Sequence, residues 1–441
     1  MDSVLTATPT TTSKGRAKIT GAAFLWLSAF YVVYCARPED WLSVLGYLPL
    51  AKITGIIAFL AFVFGSSKGN RKLRDLPIES FFLLAMICIF LVSSFFSPVS
   101  RGQAVGHALD FAKVYMVWVF TFLLLTDLPK FRRILYIQAA SVPVVCILSM
   151  VKGYSRPRLD AVLGGIYSNP NDLAFAIVLS LPFCLMFLLT TNSKFYKLLW
   201  SVGMLAMLTA LLKTASRGGF ITLIVVGIVG LWHFSIKGKR YYLIALVVLA
   251  IVVLMPIAGG VMQQRLFSLY GDKLTTHQEK SAQDSFEERQ FLVEQAIAGI
   301  KEHPLLGIGV GSFEAYSTVW REVHMTYLQV AVEGGIPCLI LYLLFFYRGF
   351  WSLRQLFKRK NLSPELKLFL SALNSSMVGF AFGAVFSPEA YQFFPYFAVA
   401  YAAALLAYVK ETERAAAPVQ PAAVPSLRQG VYAGSGIRLH P

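Results

Sequence analysis

Residues 171–190 read NDLAFAIVLSLPFCLMFLLT, a run of twenty residues in which Asp172 is the only charged side chain. A helix needs about 20 mostly apolar residues to cross roughly 30 Å of hydrocarbon, so this stretch predicts a membrane-spanning helix. Eleven further runs of similar character lie along the chain. The predicted spans are residues 20–36, 43–65, 78–97, 105–126, 132–152, 171–190, 195–213, 217–235, 241–262, 325–347, 365–386 and 391–409.

The composition supports the same class of protein. Of the 441 residues, 56% are hydrophobic and only 14% are charged, whereas a soluble domain carries about 25% charged residues. This much apolar surface cannot be buried in globular cores that keep a polar shell. We therefore expect an all-α fold, a polytopic membrane bundle of about 12 helices. The net charge of +17 does not indicate nucleic-acid binding, because the basic residues form short clusters between apolar runs.

These clusters predict the orientation of the chain. Most Lys and Arg residues fall on the same side as the N-terminus, which places both termini in the cytoplasm by the positive-inside rule. We expect disordered cytoplasmic tails at residues 1–19 and 411–441, on either side of a transmembrane domain at 20–410. Span 43–65 is the least regular, since Pro49 and Lys52 could make its first half interfacial. Residues 263–324 form a polar insertion on the outer face, too long for a mere connector, which we interpret as a functional loop.

The first polar motif on the outer side precedes the sixth span. It contains Arg156 and Arg158, followed by Asn169, Pro170 and Asn171. Asn169 is a good helix cap and Pro170 suits the first helical turn, so a purely structural role is one interpretation. The amides and the two cations are also candidates for binding a polar substrate.

The second motif, TASRGG at residues 214–219, precedes the eighth span. Ser216 can cap that helix, whose N-terminus carries unpaired N–H groups and the positive end of the helix dipole. Arg217 adds a full positive charge at a position that already favours anions. The alternative interpretation is an interfacial arginine that contacts lipid phosphate.

The third motif lies in the outer loop. Ser285 and Glu288 form a capping-box pattern that predicts the start of an amphipathic helix ending near His303. Arg289 would then lie in the first turns, where a cation opposes the helix dipole unless an anion or a local ion pair offsets it. The following segment, PLLGIGVGSF at 304–313, lacks a preceding strand and a following Lys-Ser/Thr pair. Tight turns are therefore favoured over phosphate binding.

The fourth motif, WREVHMTYLQ at residues 320–329, opens the tenth span. His324 lies at the water–membrane boundary, where an imidazole can accept a proton near neutral pH. Glu333 falls inside the span, where a carboxylate is costly and therefore suggests a role or a buried partner. No metal-ligand motif or Walker motif occurs in the sequence, so we expect neither a metal nor a cofactor.

In this order, the motifs resemble the O-antigen ligase and polymerase superfamily of polytopic membrane glycosyltransferases. The resemblance implies an undecaprenyl-diphosphate-linked glycan as donor, an active site on the periplasmic side of the bacterial inner membrane, and no metal. The acceptor would be lipid A core, a polysaccharide or a protein, with membrane lipid as surroundings. Arg217 and Arg289 would contact the diphosphate, and His324 would assist the acceptor hydroxyl. The expected substrate-binding residues are Arg156, Arg158, Asn169, Asn171, Ser216, Arg265, Arg321, Tyr327 and Glu333.

Chemistry agrees with these roles. A departing diphosphate gains negative charge, which arginines and helix N-termini stabilise, and it needs no protonation, so one base is enough. His324 is the leading base, with Glu322 and Glu314 next. A ligase is favoured over a polymerase of the same superfamily, although the sequence does not decide between them. A secondary transporter is the alternative from another class, with Asp110, Lys113 and Glu333 as its ion relay.

Overall fold

The computed structural model describes residues 21–42, 44–65, 70–153, 158–159, 167, 169–257 and 277–416. All regular secondary structure in these residues is helical. The α-helices are Ala22–Ala36 (α1), Pro38–Trp41 (α2), Leu50–Phe64 (α3), Ile78–Phe95 (α4), Arg101–Leu124 (α5), Leu128–Lys152 (α6), Pro170–Thr190 (α7), Lys194–Thr214 (α8), Arg217–Gly230 (α9), Tyr242–Ile257 (α10), His277–Glu302 (α11), Phe313–Tyr316 (α12), Thr326–Phe357 (α13), Pro364–Gly383 (α14) and Phe393–Ala416 (α15).

The predicted helical membrane fold is confirmed. Within the described residues, nine helices are long and apolar enough to cross a bilayer: α4 to α8, α9 with its π-helical continuation to Ile236, and α13 to α15. The other predicted spans correspond to α1 and α3, each of 15 residues, and to α10, of 16 residues. At 1.5 Å per residue, the described parts of these helices measure about 22 to 24 Å. The protein is a multi-pass membrane protein, and the count of twelve spans stays a prediction.

Helix α3 starts where the sequence pattern weakens. It begins at Leu50, directly after Pro49, so the first part of the predicted span 43–65 is not part of this helix. Proline has no N–H and a fixed φ, and it commonly marks such a helix start. The interpretation that only the second half is a membrane helix is therefore consistent with the structure.

The bundle has two ends that matter for function. At the end we call the site end, the N-termini of α7, α9 and α13 meet the C-terminus of α14. The Ser216 hydroxyl donates to Asn171 Oδ1 at 2.8 Å, and the Thr326 N–H donates to the Ala384 carbonyl at 2.8 Å. At the opposite end, the basal end, ion pairs join helices to one another or to the turns beside them. They are Arg71–Glu411 at 2.9 Å, Arg132–Glu365 at 3.1 Å and Arg359–Glu413 at 3.3 Å.

The C-terminal boundary differs from the prediction. Helix α15 continues to Ala416, so residues 411–416 are helical although the sequence pattern assigned them to a tail. The ion pair between Glu411 and the buried Arg71 explains the extension, because it fixes this turn against α5. The rest of both predicted tails, like residues 258–276 of the outer loop, lies outside the described residues.

The helix of the outer loop exists but starts earlier than predicted. Helix α11 begins at His277, so Ser285 lies within it and is not its cap. It ends at Glu302, close to the predicted end near His303. Its apolar side packs through Leu292 and Ala296 into a small core of its own with Ile308, Phe313, Val323 and Val332. This core fixes α11 on the site end of the bundle.

Candidate functional site

Two capped helix N-termini form one side of the site. The predicted caps are confirmed: Asn169 Oδ1 accepts from the Asn171 N–H at 2.7 Å, and Ser216 Oγ accepts from the Gly219 N–H at 3.2 Å. The bond between Ser216 and Asn171 ties these two caps together. Arg217 is the first residue of α9 and therefore lies beside two positive helix ends.

The glycines after Arg217 allow close packing. A Cβ atom at Gly218 would lie 2.9 Å from Cβ of Phe386, and one at Gly219 would lie 2.7 Å from Cβ of Ala174. The start of α9 is therefore packed directly against α7 and against the segment that joins α14 to α15. This packing fixes where the backbone presents Arg217.

The glycine-rich segment at 304–313 forms tight turns, as predicted. Gly307, Gly309 and Gly311 all have positive φ, between +66° and +97°. The segment also bonds directly to α13, with the Ile308 N–H donating to the Val332 carbonyl at 2.9 Å. A phosphate-binding loop would keep its N–H groups available, whereas here the backbone is used to hold the loop in place.

Helix α13 is broken where this segment meets it. Gly335 has φ +77° inside the helix, and the Ile336 N–H, which the break frees, donates to the Pro304 carbonyl at 2.8 Å. The first part of the helix, residues 326–334, is thus a separate piece that faces the outer loop. It positions the residues just before Thr326, including His324.

Glu333 is an internal anchor of this region. Its side chain is 2% exposed, accepts the Phe313 N–H at 3.3 Å, and accepts a short hydrogen bond from the Tyr391 hydroxyl. Its backbone carbonyl accepts from Ser93 Oγ at 2.8 Å. Of the two interpretations of this intramembrane carboxylate, buried structural pairing is the one that these contacts support.

His324 lies among positive charges. Burial, followed by the charges of Arg289 and Arg321, lowers its pKa from 6.5 to about 4. Its Nδ1 atom is buried and has no hydrogen-bond partner among the described residues. The imidazole is therefore neutral at physiological pH and can accept a proton. The structure thus brings three predicted site residues together, although they come from two separate parts of the chain.

The two arginines differ in their surroundings. Arg321 forms an ion pair with Glu288 at 3.1 Å, and its side chain is 61% exposed. Arg289 lies in the fourth turn of α11, because that helix begins at His277, so the predicted opposition to the helix dipole does not apply. Its positive charge acts on His324 instead.

Carboxyl groups border these cations. Glu322 is exposed, but the surrounding protein removes much of the water from its carboxyl group. This loss of water, followed by the charges of Glu314, Glu333 and Asp172, raises the pKa of Glu322 to about 8. Burial raises the pKa of Glu389 well above its ordinary value, and the charges of Asp172 and Glu322 add to this effect. The site end therefore contains both cations and carboxyl groups whose raised pKa favours the protonated form.

The sequence did not single out Asp172 and Glu389. Asp172 lies in the first turn of a predicted membrane helix, and Glu389 lies in a short connection between two apolar spans. The sequence does contain a signal for both residues, because each is an acidic residue beside a long apolar stretch, where a carboxylate is costly and suggests a role. Their closeness to Glu322 arises only from the fold.

The remaining predicted residues have structural contacts or lie outside the described residues. Arg158 Nε donates to the Thr214 carbonyl at 2.9 Å, which links the first motif to the second. The Tyr327 hydroxyl donates to the Ala381 carbonyl at 2.7 Å. Arg156 and Arg265 are not among the described residues.

The groups suggested for ion transport do not form a relay. Asp110 and Lys113 pair with each other on an exposed surface of α5, with 67% and 45% of their side chains exposed, whereas Glu333 is buried and bonded elsewhere. Within the described residues, no group of three or more His, Cys, Asp or Glu side chains could hold a metal ion.

Part of the chain matches a known family. Residues 202–343 match the family model described as O-Antigen ligase. The matched segment is about a third of the chain and contains Arg217, Arg289, His324 and Glu333. No curated protein matches the chain.

Proposed function

We propose that this chain belongs to the O-antigen ligase superfamily and transfers a glycan from an undecaprenyl-diphosphate-linked donor to an acceptor hydroxyl, a proposal supported by the family match over residues 202–343. The superfamily implies a glycosyltransferase-like activity with a lipid-linked glycan and an acceptor. Ligase activity at the periplasmic face of the inner membrane is the specific form proposed here. The acceptor is lipid A core, a polysaccharide or a protein.

The observation that carries this proposal is the position of His324 beside Arg289 and Arg321. A neutral imidazole next to two guanidinium groups suits a reaction in which one substrate loses a proton and the other releases an anion. Arg217 contributes a further cation at the start of α9. Arginine offers a planar pair of donors that matches phosphate oxygens, so these side chains suit a diphosphate.

The proposed transfer is a single displacement. His324 accepts the proton of the acceptor hydroxyl while that oxygen forms a bond to the anomeric carbon. The bond between this carbon and the diphosphate oxygen breaks, and its electron pair leaves with undecaprenyl diphosphate. The arginines stabilise the negative charge that develops on the leaving group. Attack from the opposite face inverts the anomeric centre.

The other contacts position these groups. Glu333 ties the glycine-rich segment to the first part of α13 and to Tyr391. Ser216 and Asn171 tie α9 to α7. In this proposal these residues fix the distances between the cations and the base. The arginines and His324 are the residues that contact the substrate.

The direct test is transfer by the purified full chain in vitro, with lipid-linked glycan as donor. Arg217→Ala and Arg289→Ala should abolish most transfer while the protein still inserts and purifies. Arg101→Ala is a matched control, because Arg101 is an exposed arginine at the start of α5, which lies at the same end of the bundle. Near-normal transfer by both site variants would contradict the proposal.

A deletion strain separates the ligase from the polymerase. Loss of all glycan from the acceptor indicates a ligase, whereas acceptors that carry a single glycan unit indicate a polymerase. Substrate uptake into proteoliposomes by the purified protein, without any glycan transfer, would favour the transporter instead.

A further inference from the structure

A cavity of about 570 Å³ lies at the basal end, where the chain turns from α13 into α14. Its wall includes Lys358, Arg359 and Lys360 from that turn, and Tyr408 and Val409 from α15. His324 precedes the other end of α13, whose 32 residues span roughly 48 Å at 1.5 Å per residue. The cavity is therefore separated from the candidate site by the thickness of the bundle.

The charge of the cavity wall is positive. Of its three cations, Arg359 pairs with Glu413 at 3.3 Å, the single acidic residue of the wall. Lys358 and Lys360 are exposed, and in the described part of the chain no ion pair involves either of them. Ser363, which also lines the cavity, caps the N-terminus of α14, so the positive end of a 20-residue helix dipole lies at the same place.

A second part of the wall is apolar, beside the polar side chains of Asn361 and Thr412. Leu128, Leu362, Leu366, Tyr408 and Val409 line it, and of these Leu366 is 5% and Val409 6% exposed in the folded chain. Cations next to an apolar wall, at the end of three membrane-crossing helices, match an amphiphile with an anionic headgroup. A soluble anion would bind to the cations but would leave the apolar side chains of the wall exposed to water.

The segment that follows α15 offers no acidic side chain to this cavity. Residues 417–441 contain no Asp or Glu, whereas they do contain Arg428 and Arg438. Charge complementarity therefore disfavours the C-terminal segment as occupant. Membrane leaflets, in contrast, present anionic lipid headgroups at the height where α13 ends and α14 begins, and basic pockets between such helices are known to select them.

We propose that this cavity binds the headgroup of an anionic glycerophospholipid from the leaflet opposite the candidate site. Lys358 and Lys360 contact the phosphate, and the positive end of the α14 dipole stabilises its negative charge. The parts of the acyl chains nearest the headgroup lie against Leu366 and Tyr408. The lipid would hold the α13–α14 turn and the end of α15 together on the membrane surface.

The test uses native mass spectrometry of the full-length protein in detergent, titrated with phosphatidylglycerol or with phosphatidylcholine. We expect saturable binding of phosphatidylglycerol and much weaker binding of phosphatidylcholine. A lysine near an anionic lipid contributes about fivefold to affinity, so the double variant Lys358→Gln/Lys360→Gln should bind phosphatidylglycerol about 25-fold more weakly.

The matched control is Lys367→Gln/Lys410→Gln, which removes the same charge from exposed lysines near the basal end that do not line the cavity. Its affinity should stay close to that of the unaltered protein, and thermal unfolding in detergent should confirm that both double variants are folded. An equal loss in the control pair would reduce the effect to general surface charge and overturn the proposal. Equal binding of phosphatidylcholine, or complete displacement of phosphatidylglycerol by excess inorganic phosphate, would overturn it as well.

Discussion

The pKa of His324 leads to a pH profile that distinguishes the proposed base from its nearest rival. Burial and the charges of Arg289 and Arg321 lower this pKa from 6.5 to about 4, which makes protonation of the free enzyme harder by roughly 3 kcal/mol. At pH 6.5 an ordinary imidazole is half protonated. In this site less than about 1% of His324 would carry the proton at that pH.

The two kinetic constants should therefore respond differently to acid. The profile of kcat/KM reports the free enzyme, so it should stay flat from neutral pH down to about pH 5 and fall as pH approaches 4. The profile of kcat reports the enzyme with donor bound, where the negative diphosphate opposes the arginines. Its acid limb should therefore lie at higher pH than that of kcat/KM.

The assay is initial-rate transfer from lipid-linked donor in detergent between pH 4 and pH 9, with tryptophan fluorescence to establish the pH range in which the protein is folded. His324→Gln should lower turnover by about 10²-fold or more and lose the acid limb. His303→Gln is the matched control, since His303 lies outside the proposed base and donor contacts, and it should keep both rate and profile.

A different profile would refute this reasoning. If Glu322 were the base, activity would rise through a pKa of about 8, because a carboxyl group must lose its proton before it can accept one. A limb at that pH that disappears in Glu322→Gln, while His324→Gln keeps full rate, would assign the base to Glu322. A kcat/KM limb at pH 6.5 would show that the arginines do not act on His324 as inferred.

Three further predictions concern the cations, metal ions and the fold. Arg217→Lys should remain impaired in transfer, because an ammonium group cannot form the paired hydrogen bonds of a guanidinium, and full activity in this variant would contradict a diphosphate contact. Transfer should survive excess EDTA, since the arginines already supply positive charge at the leaving group; loss with rescue by Mg²⁺ or Mn²⁺ would overturn the mechanism. Gly307→Ala should lower the unfolding temperature and cost more than about 1 kcal/mol, because φ is +70° and the new Cβ would lie 2.5 Å from the Glu333 carbonyl carbon. Gly106→Ala, in open space on α5, should leave that temperature unchanged or raise it.

Local rules predicted the local features of this molecule well. The length of apolar runs identified the membrane helices, and the preference of Asn and Ser for helix starts identified the caps at Asn169 and Ser216. The same kind of rule failed at Ser285. A capping-box pattern is permitted inside a helix, and α11 extends back to His277, so a pattern of four residues could not define that boundary.

Features that depend on distant contacts could not be predicted in this way. Glu333 and Tyr391 are 58 residues apart in sequence, and only the fold brings their side chains together. The low pKa of His324 also depends on where α11 places Arg289, 35 positions earlier in the chain. The sequence proposes the residue types of the candidate site, whereas their protonation states depend on the three-dimensional arrangement.

The placement of His324 among arginines also links donor binding to the proton. If the bound diphosphate raises the pKa of His324, then protonation of His324 must strengthen donor binding by the same factor, because coupling between two binding events is reciprocal. Donor affinity should therefore rise as pH falls from neutral towards 4, while turnover falls, since a protonated imidazole cannot act as the base. The tightest complex is thus an unproductive one. The low pKa that burial, together with the charges of Arg289 and Arg321, gives to His324 keeps the free enzyme out of that state at physiological pH.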